Sequence, residues 1–193
     1  MIKYLTHYYK SGTIPFKSLS AMPETEAIKK MNELYVDNAL WGRFKDPTWY
    51  LRERKKTELW LKEQFIFKGG SPQEDYPIYM VLGKCEKIER NMEEENIAKI
   101  RIPLTHFKEE EISFTYIDSM FSFQLSREKS SEYYQPEYHG KVFILSEIKS
   151  ILEERGLPEE GWWGNLPDDF FPYIEAQVWN HKILRGYLQQ IIF

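Results

Sequence analysis

Residues 112–125 read ISFTYIDSMFSFQL, and the structure assigned to this stretch decides how the second half of the chain folds. The apolar residues occupy even positions before residue 118 and odd positions after it, namely Ile112, Phe114 and Tyr116, then Phe121, Phe123 and Leu125. Strand side chains change face at every residue, so this change of parity requires a bulge, a bend or a turn. Asp118 and Ser119 stand at the change, and both side-chain types bond nearby backbone N–H groups in turns. We therefore predict two strands joined by a turn at Asp118-Ser119.

The Asp118-Ser119 couplet also has a chemical interpretation. A serine nucleophile requires a base, a group that orients the base and a site for the oxyanion. The nucleophile motif G-x-S-x-G is absent, and no histidine lies close to Ser119 in sequence. The turn is therefore the favoured interpretation, and Asp118 remains a candidate ligand-contacting residue at the end of a strand.

The rest of the chain predicts a mixture of strands and helices. Apolar runs and alternating patterns indicate strands at residues 2–9, 76–83, 97–104, 140–145 and 173–179. Apolar stripes of helical period indicate helices at residues 23–35, 47–67 and 147–155, the last with Ser146 as its N-cap. Because strands and helices do not alternate regularly, the pattern predicts an α+β fold: a mostly antiparallel twisted sheet with two N-terminal helices and one later short helix packed on it. The length fits a single domain over residues 1–193.

The helix at residues 47–67 contains an unusual charged pair. An N-cap residue, a proline at the first position and a Gly-Gly stop mark the ends of this helix: Asp46, Pro47, Gly69 and Gly70. Arg54 and Glu58, four residues apart, fall within the apolar arc that should be buried. A charged pair there costs desolvation energy unless both groups are well paired, which favours a structural ion pair. The alternative is that Arg54 extends into a pocket and holds a carboxylate or a phosphate.

Composition limits the class of protein. Hydrophobic residues make up 42% of the chain and charged residues 29%, as expected for a sizeable core and a polar surface. No apolar run is long enough for a transmembrane helix, the start lacks the apolar core of a signal peptide, and the single cysteine excludes an internal disulfide. These features predict a cytoplasmic protein. The net charge of −4 is divided into +5 over residues 1–70 and −9 over the remainder, and it gives no general reason to expect nucleic acid.

Two aromatic loops are candidate binding surfaces in a chain of which 16% is Phe, Trp or Tyr. The first loop, residues 130–140, contributes Tyr133, Tyr134, Tyr138 and His139. The second loop, residues 161–173, contributes Trp162, Trp163, Phe170 and Phe171. Such loops either fold back as lids over the sheet or form a rim that binds a flat ligand or a protein partner. Acidic residues within both loops argue against single-stranded nucleic acid.

Other kinds of site have little support in the sequence. The four histidines are scattered and neither a zinc motif nor a P-loop occurs, so no metal site and no phosphate-cradling loop is predicted. The outer side of the long helix carries Lys55, Lys56 and Lys62 and offers a basic surface for a protein partner. No cofactor is identified.

Three short segments resemble the active-site order of the ADP-ribosyltransferases that use a histidine, a tyrosine and a glutamate. LTHYY places His7 on the first strand, SFTY places Tyr116 on a later strand, and YIEAQVW places Glu175 on the last one. In that group the histidine holds the nicotinamide ribose, the tyrosine stacks on nicotinamide and the glutamate steers the transfer. The resemblance implies an enzyme in which these three side chains converge on one concavity.

The leading expectation is a domain that binds a small molecule or a protein through an aromatic-rich cleft or rim, with Arg54 and Asp118 as further contacts. The transferase-like enzyme and an interaction module on the basic side of the long helix are the alternatives. The sequence leaves open whether the chain is an enzyme, which ligand or partner it binds and how many copies assemble.

Overall fold

Five strands form one antiparallel sheet in the computed structural model, which describes residues 2–36, 40–128, 133–158 and 171–192. The strands are β1 Tyr4–Lys10, β2 Ile78–Leu82, β3 Ile97–Pro103, β4 Ile112–Tyr116 and β5 Ile174–Val178. Their order across the sheet is β3-β1-β2-β5-β4, and each neighbouring pair is antiparallel. The α-helices of the described ranges are α1 Glu24–Leu34, α2 Pro47–Phe67, α3 Glu86–Arg90, α4 Ser119–Arg127, α5 Leu145–Arg155 and α6 Lys182–Ile192. The predicted α+β class with an antiparallel sheet is confirmed.

The two faces of the sheet differ in polarity. One face, here called the core face, is apolar and packs with Ile148 of α5 and Leu184 of α6. The strand residues on the core face include Leu5, Met80, Leu82, Ile102, Phe114, Tyr116, Ile174, Ala176 and Val178. The opposite face, here called the polar face, carries Thr6, Tyr79, Val81, Ser113, Thr115, Glu175 and Gln177. Because most of these polar side chains are buried, they must find hydrogen-bond partners inside the protein.

The long helix α2 covers the polar face. Asp46 accepts a hydrogen bond from the backbone N–H of Trp49 at 2.9 Å, and Gly69 ends the helix with a φ of +89°, as predicted. Near its C-terminal end, Phe65 stacks on Trp179 with ring centroids 6.1 Å apart. Although α2 has 21 residues, neither it nor any other helix in the described ranges is long and apolar enough to cross a membrane.

The stretch after β4 is a helix, so the predicted second strand is wrong. α4 begins directly after Asp118, whose Oδ1 accepts the backbone N–H of Phe121 at 3.0 Å as an N-cap. Three buried side chains recur every third residue along α4, as one side of a helix requires: Ser119, Ser122 and Leu125. The change of parity has another cause, because Ile117 takes a φ of +79°. This left-handed conformation is rare for a β-branched residue, and it turns the chain sharply between β4 and α4.

Two other local expectations also differ from the structure. Residues 140–145 are not a strand, since a single bridge at Phe143 links them to β4 in the described part of the chain. Ser146 lies inside α5 instead of capping it. The capping contact comes from Glu147, whose Oε2 accepts the backbone N–H of Ile144 at 3.0 Å. Helices α3 and α6 have no counterpart among the predicted elements.

Replacing Asp118 by alanine is expected to lower the free energy of unfolding by about 1–2 kcal/mol, the usual cost of losing an N-cap side chain. Its Oδ2 also accepts a hydrogen bond from the Tyr173 hydroxyl at 3.1 Å, so the loss should lie in the upper part of this range. Asp118→Asn is the matched control, because asparagine caps helices about as well as aspartate. Urea unfolding of both variants measures the difference, and wild-type stability in Asp118→Ala would contradict the capping role.

Candidate functional site

A cavity of about 160 Å³ lies between the polar face, the N-terminal half of α2 and the start of α4. This inner cavity adjoins an outer groove of about 860 Å³ between α2 and α4. The residues that line both spaces are Leu40, Arg43, Tyr50, Asp118, Met120 and Tyr173. The shared lining makes the inner cavity and the outer groove neighbouring parts of one concave region.

Aromatic rings supply much of the wall of the inner cavity. They come from β1, the loop before α2, α2 itself, β2 and the segment before β5: Tyr8, Trp41, Tyr50, Tyr79 and Tyr173. Burial raises the pKa of both Tyr79 and Tyr173 well above the usual value for a phenol, so both hydroxyls stay protonated, and they donate to Glu58 and Asp118. A small molecule in this cavity would meet flat apolar surfaces and a limited set of polar groups, as in most ligand sites.

Arg54 and Glu58 form a buried ion pair beside the cavity. The Arg54 Nε donates to Glu58 Oε1 at 3.0 Å and to Ser20 Oγ at 3.1 Å. The guanidinium also lies over the ring of Tyr79, 4.5 Å from its centroid, and the Tyr79 hydroxyl donates to Glu58 Oε1 at 3.2 Å. The side chains of Arg54 and Glu58 are 13% and 1% exposed. The structural ion pair predicted from the sequence is therefore present.

The same guanidinium keeps donors available for a ligand. Arg54 lines the inner cavity, and its Nη1 makes one long hydrogen bond to the Tyr50 hydroxyl at 3.5 Å. Among the described residues, none accepts a hydrogen bond from Nη2. Burial by itself lowers the pKa of Arg54, but the Glu58 carboxylate more than offsets this, so the group remains charged. Arg54 thus pairs with Glu58 through Nε and keeps Nη2 available to a ligand.

Glu175 is a buried carboxyl group in the wall of the same cavity. Its Oε1 accepts hydrogen bonds from the Gln177 amide at 3.0 Å and from the backbone N–H of Ser119 at 3.3 Å. No group in the described ranges bonds its Oε2. Burial raises the pKa of Glu175 to about 8, and the negative charge of Asp118 adds to the rise. The side chain therefore carries a proton at neutral pH.

Asp118 and Ser119, at the N-terminus of α4, both line the inner cavity. The two carboxylate oxygens of Asp118 are already bonded, one to the backbone of α4 and one to Tyr173. Ser119 has no imidazole beside it among the described lining residues, so the groups of a serine nucleophile are not assembled there. Asp118 thus shapes the cavity chiefly through its charge and its capping role.

The sheet separates the three residues of the transferase-like trio. Glu175 lies opposite Thr115 in the β4–β5 register, on the polar face. Tyr116, the next residue along β4, therefore points to the core face, and so does His7, which follows the polar-face Thr6 on β1. A site of the ADP-ribosyltransferase kind needs the three side chains in one concavity, so this predicted trio is wrong.

His7 has a structural role between β1 and β2. Its Nε2 accepts the backbone N–H of Phe16 at 3.1 Å, and its Nδ1–H donates to the carbonyl of Tyr79 at 3.0 Å. Burial lowers the pKa of His7 to about 4, partly opposed by that carbonyl. Both ring nitrogens are thus occupied in the neutral form, which leaves no free nitrogen for a ligand.

The first aromatic loop packs on the core-face side, away from the inner cavity. Tyr138 lies against Tyr116 with ring centroids 4.7 Å apart, and His139 is buried. Tyr133 and Tyr134 are partly buried against the same apolar cluster. The described residues of this loop therefore fold back over the sheet, which is the first of the two arrangements considered for the aromatic loops. Of the second loop, Phe171 lines the outer groove, whereas Trp162, Trp163 and Phe170 lie outside the described residues.

The basic side of α2 is partly neutralised by acidic neighbours. Lys56 Nζ lies 2.8 Å from Glu53 Oε1, and Lys62 Nζ lies 2.9 Å from Asp75 Oδ1. Lys55 is half-buried. This side of the helix therefore carries both signs of charge, which weakens its attraction for an acidic partner.

The described residues contain no group of three or more His, Cys, Asp or Glu side chains placed to hold a metal ion. Arg54, Glu175 and the aromatic wall are thus the groups that give the inner cavity its chemistry. Comparisons of the chain with protein-family models, with curated protein sequences and with solved structures find no match.

Proposed function

We propose that the protein binds a small molecule in the inner cavity and that the ligand enters through the outer groove. The observation that carries this proposal is a pair of buried polar groups with unused hydrogen-bonding capacity in one cavity wall, Arg54 and Glu175. Both residues line the cavity and neither has a sealed, partnerless atom, so a ligand placed there can reach their unused hydrogen-bonding capacity. A protein that keeps two such groups beside a cavity is suited to a ligand that satisfies them.

The size and lining of the inner cavity favour a small molecule over a protein partner. An engineered apolar cavity of about 150 Å³ in another protein binds benzene, and the inner cavity here has about 160 Å³. Its walls come from four strands, three helices and the connecting loops, and Arg54 and Glu175 are little exposed, which favours a ligand that fits within the fold over a folded partner. The aromatic-rich cleft expected from the sequence is thus proposed here with other rings, chiefly Trp41, Tyr50 and Tyr173.

A thermal-shift screen of small metabolites and aromatic compounds is expected to find compounds that stabilise the protein. A ligand that binds only the folded chain raises its stability by about 2.7 kcal/mol at 100 times its dissociation constant. Met120→Trp narrows the junction of the inner cavity and the outer groove and should abolish the shift. Ile66→Trp is the matched control, because Ile66 is 52% exposed on α2 and lines neither space.

A shift that survives in Met120→Trp would place the ligand elsewhere and contradict the proposal. Failure of every compound to stabilise the wild-type protein would count against it as well. Loss of the shift in both tryptophan variants would indicate a general effect on folding, and this too would contradict binding in the cavity.

A further inference from the structure

A directed chain of hydrogen bonds runs across the polar face to Glu175. The indole N–H of Trp179 can only donate, and it donates to Ser113 Oγ at 2.9 Å. The Ser113 hydroxyl donates to Gln177 Oε1 at 2.8 Å, which leaves the Gln177 amide N–H to donate to Glu175 Oε1 at 3.0 Å. The backbone N–H of Ser119 donates to the same oxygen. Glu175 Oε1 is therefore an acceptor, and any proton on this carboxyl sits on Oε2.

The proton on Oε2 makes Glu175 a donor toward the inner cavity. Glu175 is 5% exposed and lines that cavity. Its raised pKa, about 8, keeps the proton in place at neutral pH. No described residue accepts this O–H, so it is available to an acceptor on a molecule that occupies the cavity.

Arg54 supplies further unused donors in the same wall. Its Nε is taken by Glu58 and Ser20, while Nη2 has no acceptor in the described ranges. A guanidinium edge matches the two oxygens of a carboxylate or the oxygens of a phosphate. Both unsatisfied groups of the cavity are thus donors, and one of them is cationic.

On the premise that the inner cavity binds a small molecule, we infer that the ligand carries an oxyanion, held by Arg54 and by the O–H of protonated Glu175, and that its binding favours proton retention at Glu175. The body of the ligand packs on the aromatic wall. Carboxylates and phosphates both qualify as the oxyanion, because the two offer the same acceptors. Above the pKa of Glu175 the site must take up a proton when the anion binds.

The charges that face Glu175 are compatible with an anion near Arg54. The charged and titratable groups around it are Asp118 before α4, Arg54, Glu58 and Tyr50 on α2, Tyr79 on β2, Tyr8 on β1, Tyr173 before β5 and Arg43 before α2. Of the acidic groups, Glu58 is paired with Arg54, and Asp118 has protein donors on both oxygens. The two donors of the lining that lack an acceptor among the described residues are Arg54 Nη2 and the O–H of Glu175. An oxyanion can accept hydrogen bonds from both.

The predicted affinity depends on pH in one direction. Ionised Glu175 would place a negative charge beside the anion and would remove one donor. Affinity for an oxyanion should therefore fall about 30-fold between about pH 6.5 and about pH 9.5, on either side of a pKa of about 8. Glu175→Gln keeps an acceptor at the Oε1 position and a permanent N–H donor in place of Oε2–H, so its affinity should not change over this interval.

Calorimetric titration with benzoate and its neutral isostere benzamide tests the inference. Benzoate stays ionised over this pH range and fits the size of the inner cavity. The wild-type protein is expected to bind benzoate more tightly than benzamide, to lose this affinity at high pH and to take up protons from the buffer there. Arg54→Lys should weaken benzoate binding about 10-fold, while Arg52→Lys, at an exposed position of α2, should leave it unchanged.

Equal affinity for benzamide and benzoate, or the same loss at high pH in Glu175→Gln, would overturn the oxyanion inference and leave the proposed small-molecule function standing. Failure of both compounds to bind at millimolar concentration would also overturn it, because the cavity has the size and the donors for benzoate. The proposed function is then judged separately, by the neutral members of the thermal-shift screen and the Met120→Trp variant.

Discussion

Arg54→Met is expected to lower the free energy of unfolding by about 3–5 kcal/mol, the usual cost of removing one partner of a buried ion pair. The carboxyl group of Glu58 is 1% exposed and would be left with only the Tyr79 hydroxyl as a donor. Its second oxygen already lacks a hydrogen-bond partner in the described part of the chain, so no spare contact can compensate. Urea unfolding at neutral pH measures the loss.

The double variant Arg54→Met/Glu58→Gln should recover most of this stability. The glutamine is neutral, and its amide oxygen can still accept from the Tyr79 hydroxyl. Arg52→Met is the surface control: Arg52 is 61% exposed and pairs with Glu53, so its removal should change stability by less than about 0.5 kcal/mol. An Arg54→Met loss as small as that of the control would show that Glu58 does not depend on Arg54.

The helix that carries Arg54 could be predicted from the sequence because its signals are local. The N-cap, the first-position proline and the glycine stop act within one turn of the helix, and a spacing of four puts Arg54 and Glu58 side by side. The partners that complete this pair were not predictable in the same way. Ser20 lies 34 positions from Arg54, and Tyr79 lies 21 positions from Glu58. Only the tertiary fold brings them together.

The error after β4 has a physical cause in the residues themselves. Aspartate and serine serve equally well in a turn and at a helix N-terminus, so Asp118 indicates a chain reversal without specifying whether a strand or a helix comes next. The alternating phenylalanines of α4 favoured a strand. Ile117 has a positive φ, but a β-branched residue rarely adopts one, so the sequence does not indicate it. The side of α4 that is buried carries Ser119 and Ser122, so no apolar stripe of helical period marks it in the sequence.

The cavity residues on β5 illustrate why a site is harder to predict than an element. The alternation of residues 173–179 separates Glu175 from Ile174, Ala176 and Val178, as the sheet register also does, but it does not indicate what covers the Glu175 side. Covering that side with α2 is a tertiary event, and it turns an ordinary surface glutamate into a buried carboxyl group. The register that places Tyr116 on the opposite face is likewise set between strands that are distant in sequence.

Glu175→Gln is expected to stabilise the protein at alkaline pH, by an amount that grows with pH. The pKa of Glu175 is raised from 4.5 to about 8 in the folded chain, chiefly by burial. Between these values the folded state holds a proton that the unfolded state has released, so wild-type stability falls as pH rises, by about 1.4 kcal/mol per unit. The stabilisation that the Glu175 proton gives the wild-type fold is fully present below about pH 4.5 and is lost once the pH has passed about 8. Glutamine has no such proton to lose.

The difference in unfolding free energy between Glu175→Gln and the wild type should therefore be small below about pH 4.5 and reach several kcal/mol at about pH 9. Urea unfolding at a series of pH values measures it, and the comparison cancels the titration of all other groups. Asp75→Asn is the opposite control, because the exposed Lys62–Asp75 bridge lowers the pKa of Asp75. The stabilisation that ionised Asp75 gives the wild-type fold is present above about pH 3.8 and disappears on acidification. A Glu175→Gln difference that stays flat across the range would mean that Glu175 is ionised inside the fold, and the donor toward the cavity would then be absent.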